Sequence, residues 1–194
     1  HQESNPVFGR LDAVVDFTSP MWKESLKFLE PNMSGIGGLH LVPMSERIIA
    51  ELVLPLLHQV DPSLKLEPCP DIRELLMQEV LDHLDAIGRR SATNLCFLEP
   101  KYAASGIDEQ EDVARYFHER YGLKVMHADP AELRVIDGEV CHEGVRVDIA
   151  YRDYSVLDIV QLQQRGIDVE PMRLLLKQNR MISSVAAELD QKAC

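Results

Sequence analysis

The strongest constraint on the fold is a strand, helix, strand pattern in the middle of the chain. Residues 94–98 form a short apolar run, and residues 123–126 form a second one. Between them, Val113, Phe117 and Tyr121 recur at helical spacing. Two such strands joined by a helix indicate a βαβ unit, because a parallel strand pair needs a long crossover connection. The pattern therefore predicts an α/β fold in which helices cover a parallel sheet.

Helices that could cover this sheet are predicted both before and after the βαβ unit in the sequence. One amphipathic helix begins at Ser45 and is expected to kink or end early at Pro55, because proline removes a backbone donor. Asp71 is a suitable N-cap for a second helix that ends near Gly88. Two further helical segments are predicted at residues 156–164 and 171–177.

Antiparallel elements are predicted at both ends of the unit. Residues 11–17 and 26–30 have the pattern of two strands around a turn. An Asp-Gly dipeptide at 137–138 and a Glu-Gly dipeptide at 143–144 favour hairpin turns, the second leading into a strand at 145–151. The sequence therefore predicts one hairpin before the parallel sheet and further hairpins in the C-terminal half of the chain.

The composition excludes several functional classes. The 194 residues carry 20 Lys and Arg against 32 Asp and Glu, for a net charge of −12 and a pI of about 5.0. No local stripe of basic residues compensates, so nucleic acid is excluded as a partner. Apolar residues are 45% of the chain, yet no apolar run approaches the roughly 20 residues that a membrane-spanning helix needs. These values are typical of a globular protein.

The cysteines indicate a reducing compartment. Cys69, Cys96, Cys141 and Cys194 are widely spaced and form neither a CxxC pair nor a zinc-binding pattern. They are predicted to be reduced thiols in the cytoplasm, since no signal peptide precedes them. The first residues, which lack an initiator Met, have the look of an internal cut or a tag scar.

The first hairpin carries the candidate functional site. Arg10 and Asp12 alternate on one strand, and Glu30 and Asn32 end the other. Because residues two apart share a face, pairing of the strands would bring three oxygen ligands and one guanidinium together, a donor set that suits Mg²⁺ and a phosphate. Two alternatives stay open: the Glu-Pro-Asn ending could be an ordinary edge, and Asp16 could replace Asp12 as the ligand because the pairing register is uncertain.

These motifs resemble those of a known family. Arg-Leu-Asp at 10–12 and Glu-Pro-Asn at 30–32 resemble the RxD and ExN elements of the ATP-grasp ligases. Their position ahead of a Rossmann-like region is similar to the circularly permuted branch, which includes glutathionylspermidine synthase. Residues 94–152 resemble the pre-ATP-grasp region of that branch, and their last six, Val-Asp-Ile-Ala-Tyr-Arg, are similar to its VDxxYR strand. Residues 179–193 resemble the segment that enters the nucleotide-binding lobe.

The resemblance implies an architecture for the whole chain. The fold would be an α/β, Rossmann-like parallel sheet, the pre-ATP-grasp domain, with an antiparallel hairpin from the ATP-grasp domain. Residues 1–44 would hold the metal-binding hairpin and a glycine-rich loop at residues 31–38. Residues 45–152 would hold the Rossmann-like domain with its flanking helices. Residues 153–194 would lead into a nucleotide-binding lobe that is largely absent.

The resemblance also assigns roles to individual residues. Asp12, Glu30 and Asn32 would be magnesium ligands, with Asn32 also beside the nucleotide. Arg10 would face the phosphates or an acyl-phosphate, and Arg152 would lie near the substrate or nucleotide groove. Lys192 follows an acidic residue, as a nucleotide-binding lysine of the family does. Two alternatives remain: Lys192 as a solvated helix lysine, and Arg152 as a strand-end arginine paired with Asp148 or Asp153.

The function implied is an ATP-dependent and Mg²⁺-dependent carboxylate–amine ligase, or part of one. Such an enzyme activates a small-molecule or peptide carboxylate as an acyl-phosphate, which an amine then attacks. A non-catalytic scaffold of the same fold, or a Rossmann-like binding domain of other ancestry, are the alternatives. The missing dinucleotide fingerprint opposes NAD as its ligand. The two long Leu-rich helices, at residues 46–60 and 71–87, would also allow a homodimer.

Overall fold

The computed structural model describes residues 6–90, 94–99 and 109–189, over which strands and helices alternate. The strands are β1 (Arg10–Val14), β2 (Lys27–Asn32), β3 (Asn94–Leu98), β4 (Lys124–Ala128), β5 (Arg134–Ile136), β6 (Glu139–His142), β7 (Val145–Arg146), β8 (Ile149–Arg152) and β9 (Met181–Ile182). The helices are α1 (Leu41–Ile48), α2 (Leu54–Leu57), α3 (Ile72–Ala86), α4 (Glu109–Tyr121), α5 (Val156–Gln164) and α6 (Glu170–Lys177).

The centre of the fold is a parallel sheet with the strand order β4-β3-β8-β9. Strand β3 pairs in parallel with β4 on one side and with β8 on the other, and β9 continues the sheet beyond β8. Helix α4 is the crossover between β3 and β4, so the predicted βαβ unit is confirmed. The coarse class, α/β with a parallel sheet and antiparallel hairpins, is confirmed as well.

Helices cover both faces of this sheet because the strands are apolar on both sides. Leu95 and Phe97 point to one face, where they pack in a cluster with side chains of α3 and α4. Cys96 and Leu98 point to the other, where α5 and α6 supply the cover. Within the segment predicted at 153–194, β9 joins this sheet, and α5 and α6 cover one of its faces. The predicted domain boundaries stay a prediction.

The second helix and the hairpin turns follow the local signals of the sequence. The Asp71 side chain accepts a hydrogen bond from the backbone of Arg73 at 2.9 Å, which confirms the predicted N-cap of α3. Asp137 and Glu143 have φ of 50° and 49°, each followed by a glycine of positive φ. That pair of conformations is what a tight two-residue hairpin turn requires, so β5, β6 and β7 form a small antiparallel sheet.

The helix predicted at Ser45 is longer and less regular than expected. It begins at Leu41, passes through a π-helical segment, Ile49–Val53, and ends in the short helix α2. Pro55 stands in the first turn of α2, where its missing N–H is tolerated. The irregular hydrogen-bond pattern directly precedes the proline, so the disturbance is milder than the predicted kink or early end.

The prediction of one continuous strand at residues 145–151 is wrong, because this stretch belongs to two sheets. The backbone N–H of Val147 donates to the carbonyl of Val140 at 2.8 Å, within the small antiparallel sheet. The next N–H, that of Asp148, donates to the carbonyl of Asn94 at 3.0 Å and so joins the parallel sheet. The run is therefore divided into β7 and β8 at the point where it changes partner.

The N-terminal third of the chain has little core of its own. Of the 27 large apolar side chains exposed in the described residues, 20 lie between Leu11 and Leu66. They lie on the β1–β2 hairpin and its tip, on the helix from Leu41 to Leu57, and in the connection that follows this helix. None of the helices in the described ranges has the length and apolar character needed to cross a membrane.

Candidate functional site

The register of the β1–β2 hairpin brings the four predicted site residues to one face. Arg10 lies opposite Asn32, and Asp12 lies opposite Glu30. Opposed residues of an antiparallel pair, and residues two apart on each strand, point to the same side. The Asn32 amide reaches the Glu30 carboxylate at 3.5 Å. The hairpin thus presents two carboxylates, one amide oxygen and one guanidinium on a single patch.

Arg10 organises this patch. Its guanidinium donates to both carboxylate oxygens of Asp12, at 2.7 and 3.2 Å, and its third bond goes to the carbonyl of Gly37 at 3.1 Å. The hydrogen bond with Asp12, together with the nearby charges of Glu30 and Glu109, raises the pKa of Arg10. Arg10 therefore fixes the orientation of Asp12 and ties the glycine-rich loop to the hairpin.

Asp16, the alternative ligand, lies outside the patch. It follows the end of β1 at Val14, and one of its oxygens accepts bonds from the backbone N–H and the hydroxyl of Thr18, at 2.9 and 2.6 Å. These bonds lower the pKa of Asp16 and hold it in a local turn. The register therefore favours Asp12 over Asp16 as the partner of Glu30.

Glu109, the first residue of α4, anchors the glycine-rich loop to the parallel-sheet domain. Its carboxylate accepts hydrogen bonds from the backbone N–H groups of Gly38, His40 and Leu41, at 2.9, 2.9 and 3.4 Å. The same bonds satisfy donors at the start of α1, where a negative charge is favourable. Sequence reasoning missed this role, because 68 to 71 residues separate the partners.

Replacing Glu109 by glutamine is expected to loosen this loop. The amide keeps one acceptor oxygen but loses the charge, so we expect a loss of about 1.5 kcal/mol in the free energy of unfolding. Hydrogen exchange should accelerate at the amides of Gly38 and His40. Glu119→Gln, an exposed change on the same helix, is the matched control and should leave these amides unchanged. Equal exchange rates in the two variants would contradict the anchoring role.

A second polar cluster lies at the carboxyl edge of the parallel sheet. Adjacent strands β3 and β8 are followed by Glu99 and Asp153, and the next helices along the chain, α4 and α5, pack on opposite faces of the sheet. Gln110 donates to Asp153 at 3.2 Å, and His127 contacts Glu99 at 2.5 Å. Burial raises the pKa of Asp153, an effect that the Gln110 hydrogen bond opposes. In open α/β sheets such a reversal point is where ligands usually bind.

The close approach of Gly35 connects this cluster to the glycine-rich loop. Gly35 has a φ of 60°, and a β-carbon built on it would lie 2.3 Å from an Asp153 carboxylate oxygen. Only glycine fits this contact without displacement of the loop or of Asp153. The loop therefore runs between the hairpin patch and the carboxyl edge of the sheet.

Arg152, predicted beside a substrate or nucleotide groove, is fully buried. Among the described residues, its guanidinium donates to the backbone carbonyls of Ser183 at 2.6 Å, Tyr154 at 2.5 Å and Ser184 at 3.0 Å. These bonds fasten the segment after β9 to the end of β8. The catalytic role of Arg152 stays a prediction, whereas its enclosed guanidinium shows a structural one.

Lys192, the predicted nucleotide-binding lysine, lies outside the described residues, and so does Cys194. The other three cysteines, Cys69, Cys96 and Cys141, are free thiols.

The hairpin donor set consists of oxygen atoms, the ligand type that hard divalent cations prefer. Asp12, Glu30 and Asn32 supply carboxylate and amide oxygens, to which Mg²⁺ usually adds waters and phosphate oxygens. No group of three or more His, Cys, Asp and Glu side chains suited to a metal occurs in the described ranges. The hairpin set has only two acidic members, so its fit rests on the amide and on ligands from outside the protein.

No protein-family model matches the sequence, and no curated protein matches it either. The class that the structure defines is thus the coarse one, a mixed α/β protein with a parallel sheet and a polar hairpin patch.

Proposed function

We propose that this chain is a circularly permuted ATP-grasp carboxylate–amine ligase, or a part of one. The observation that carries the proposal is the cross-strand pairing of Asp12 with Glu30 and of Arg10 with Asn32. This pairing gives the RxD and ExN elements a common face, which the ligase chemistry requires of them. The order of hairpin, glycine-rich loop and Rossmann-like unit along the chain supports the same assignment.

The chemistry follows from the charges on the patch. A ligase of this class transfers the γ-phosphoryl group of ATP to a substrate carboxylate, with loss of ADP, and an amine then displaces phosphate from the acyl carbon. A bound Mg²⁺ would neutralise charge on the transferred phosphoryl group. Asp12, Glu30 and Asn32 would hold that ion. Arg10 would orient the substrate carboxylate and offset its charge. A net charge of −12 is compatible with this reaction, because a few local cations suffice.

A second candidate is a non-catalytic domain that binds another protein. The concentration of exposed apolar side chains between Leu11 and Leu66 favours it, because a contiguous apolar surface usually marks an interaction site. The two candidates differ at the hairpin patch, since a protein-binding domain has no need of divalent-cation affinity there.

The test is direct titration of the full chain with Mn²⁺, a paramagnetic substitute for Mg²⁺ that prefers the same oxygen ligands. We expect one site at which Mg²⁺ competes. Glu30→Gln should weaken Mn²⁺ binding by roughly 100-fold, because even loss of an outer-shell partner costs 10–100-fold. Asp16→Asn is the matched control, since it removes a carboxylate from the same hairpin outside the patch.

Two outcomes would contradict the ligase assignment. One is the absence of a Mn²⁺ site, and the other is a site that Glu30→Gln leaves intact. ATP is expected to strengthen Mn²⁺ binding to the full chain, because its phosphate oxygens would complete the coordination shell. Mn²⁺ affinity that ATP does not change would favour the non-catalytic candidate.

A further inference from the structure

An apolar cavity of about 240 Å³ opens beside the hairpin patch. It lies where the base of the hairpin, the glycine-rich loop, α1 and α3 meet. Apart from two glycines, its lining consists of Phe8, Arg10, Ile36, Val42, Ile72 and Leu75. Among the described residues of the lining, Arg10 is thus the one with a charged side chain, and it belongs to both the cavity and the patch.

The size of the cavity limits what it can hold. An engineered apolar cavity of about 150 Å³ binds benzene, whereas sites for drug-sized ligands start near 300 Å³. A volume of about 240 Å³ therefore suits a single aromatic ring with a short linker, or a branched aliphatic chain of similar size. The apolar walls would exclude a charged chain end, because it would lose its hydration without gaining a partner.

The charge of the lining decides between the two substrates of a ligase. An amine substrate carries an ammonium group that needs acidic or carbonyl partners, and none of the described residues that line the cavity is acidic. A carboxylate needs cations. Arg10 supplies one, and the Mg²⁺ that Asp12 and Glu30 would hold offsets the charge of these two neighbouring carboxylates. Within the described part of the chain, the bonds of Arg10 to Asp12 and Gly37 engage three of its five N–H groups. The other two can donate to a bound carboxylate.

We propose that the cavity binds the acid substrate, a monocarboxylate with a small aromatic or branched aliphatic tail. The tail fills the space between α1 and α3, and the carboxylate lies at Arg10, next to the carboxylates of Asp12 and Glu30. This assignment of a substrate class rests on the proposed ligase function. It gives Arg10 a second task, since the same guanidinium orients a predicted metal ligand and receives the group to be activated.

The test measures binding of 3-phenylpropanoate to the full chain, with saturating Mg²⁺ and without nucleotide, by chemical-shift titration. Acetate tests the contribution of the tail, and 3-phenylpropanamide tests that of the charge. We expect both probes to bind at least tenfold more weakly than the acid, because each lacks one of the two interactions. Arg10→Gln should abolish the preference for acid over amide while the amide still binds. Equal affinities of the unmodified chain for acid and amide would overturn the proposal.

Filling the cavity provides a second, independent readout. Leu75→Trp on α3 and Val42→Trp on α1 each place a large ring at the walls, so each should remove binding of the acid. Leu157→Trp is the matched control, a change at an exposed leucine of α5 that lies outside the lining. Retained binding in either filled variant, with the fold intact by circular dichroism, would overturn the proposal.

The two levels of the proposal fail in different ways. If Mn²⁺ binds at the hairpin but 3-phenylpropanoate does not bind, the substrate assignment is overturned and the ligase function stands. If the acid binds in the cavity but the hairpin has no affinity for Mn²⁺, the cavity assignment is supported as a carboxylate site and the ligase function is overturned.

Discussion

Replacing Arg152 by methionine is expected to lower the free energy of unfolding by about 4 kcal/mol, because each buried acceptor that loses its donor costs about 1–3 kcal/mol. Methionine fills much of the same volume but donates nothing. The carbonyls of Ser183, Tyr154 and Ser184 would then lie buried without the guanidinium that they now share. Urea denaturation followed by far-UV circular dichroism measures the loss.

The control for this experiment is Arg165→Met. Arg165 is exposed at the end of α5, so the same chemical change there should shift stability by less than about 0.5 kcal/mol. A loss at Arg152 no larger than that of the control would contradict its structural role. It would favour the predicted role of Arg152 beside a substrate groove.

Replacing Phe97 by alanine is expected to lower the free energy of unfolding by about 4 kcal/mol, within the range usual for buried aromatic residues. Phe97 is fully buried on the central strand β3, with its ring centre 6.1 Å from that of Phe117 and 5.6 Å from that of Tyr151. The change removes both ring contacts and leaves a cavity between the sheet and α4. Denaturation by urea measures the loss.

The matched control is Phe28→Ala, which removes the same side chain from the exposed face of β2. It should cost less than about 1 kcal/mol, because the Phe28 ring is 63% exposed and little contact is lost. If the two variants lose equal stability, the assignment of the core to the parallel sheet is wrong.

Local sequence signals predicted much of this fold. The apolar strand at residues 94–98 and the helix after it need no distant partner to be recognised, and both have the expected type. The N-cap at Asp71 and the hairpin turn at Asp137 depend on neighbouring residues only, and both are confirmed. These features follow from backbone chemistry within a few residues.

What the sequence did not predict depends on distant partners. The break between β7 and β8 arises because Val147 pairs with one sheet and Asp148 with another, a division that an apolar run does not reveal. Strand β9 has only two residues, too few for a period-2 pattern, and exists because β8 offers a free edge. Burial of a charged side chain such as Arg152 is equally invisible, since it depends on carbonyls some 30 residues away.

The candidate site also has features that the sequence predicted and features that depend on distant partners. Spacing alone predicted that Arg10, Asp12, Glu30 and Asn32 share a face, because alternation along a strand is a local property. The choice between Asp12 and Asp16 needed the register, which depends on the turn. The anchoring role of Glu109 needed the packing of α4 against the loop, and no signal in the sequence points to it.

The pairing of β1 with β2 is irregular at one point, between Asp12 and Ala13, where Asp12 opposes Glu30 but Ala13 opposes Phe28. Leu29 is the extra residue of this bulge. A bulge is where a strand pair accommodates an additional residue. The pairing at the base of the hairpin is therefore independent of the number of residues between the bulge and the tip. The tip of the hairpin can therefore lengthen or shorten during evolution while the four polar residues at its base keep their partners.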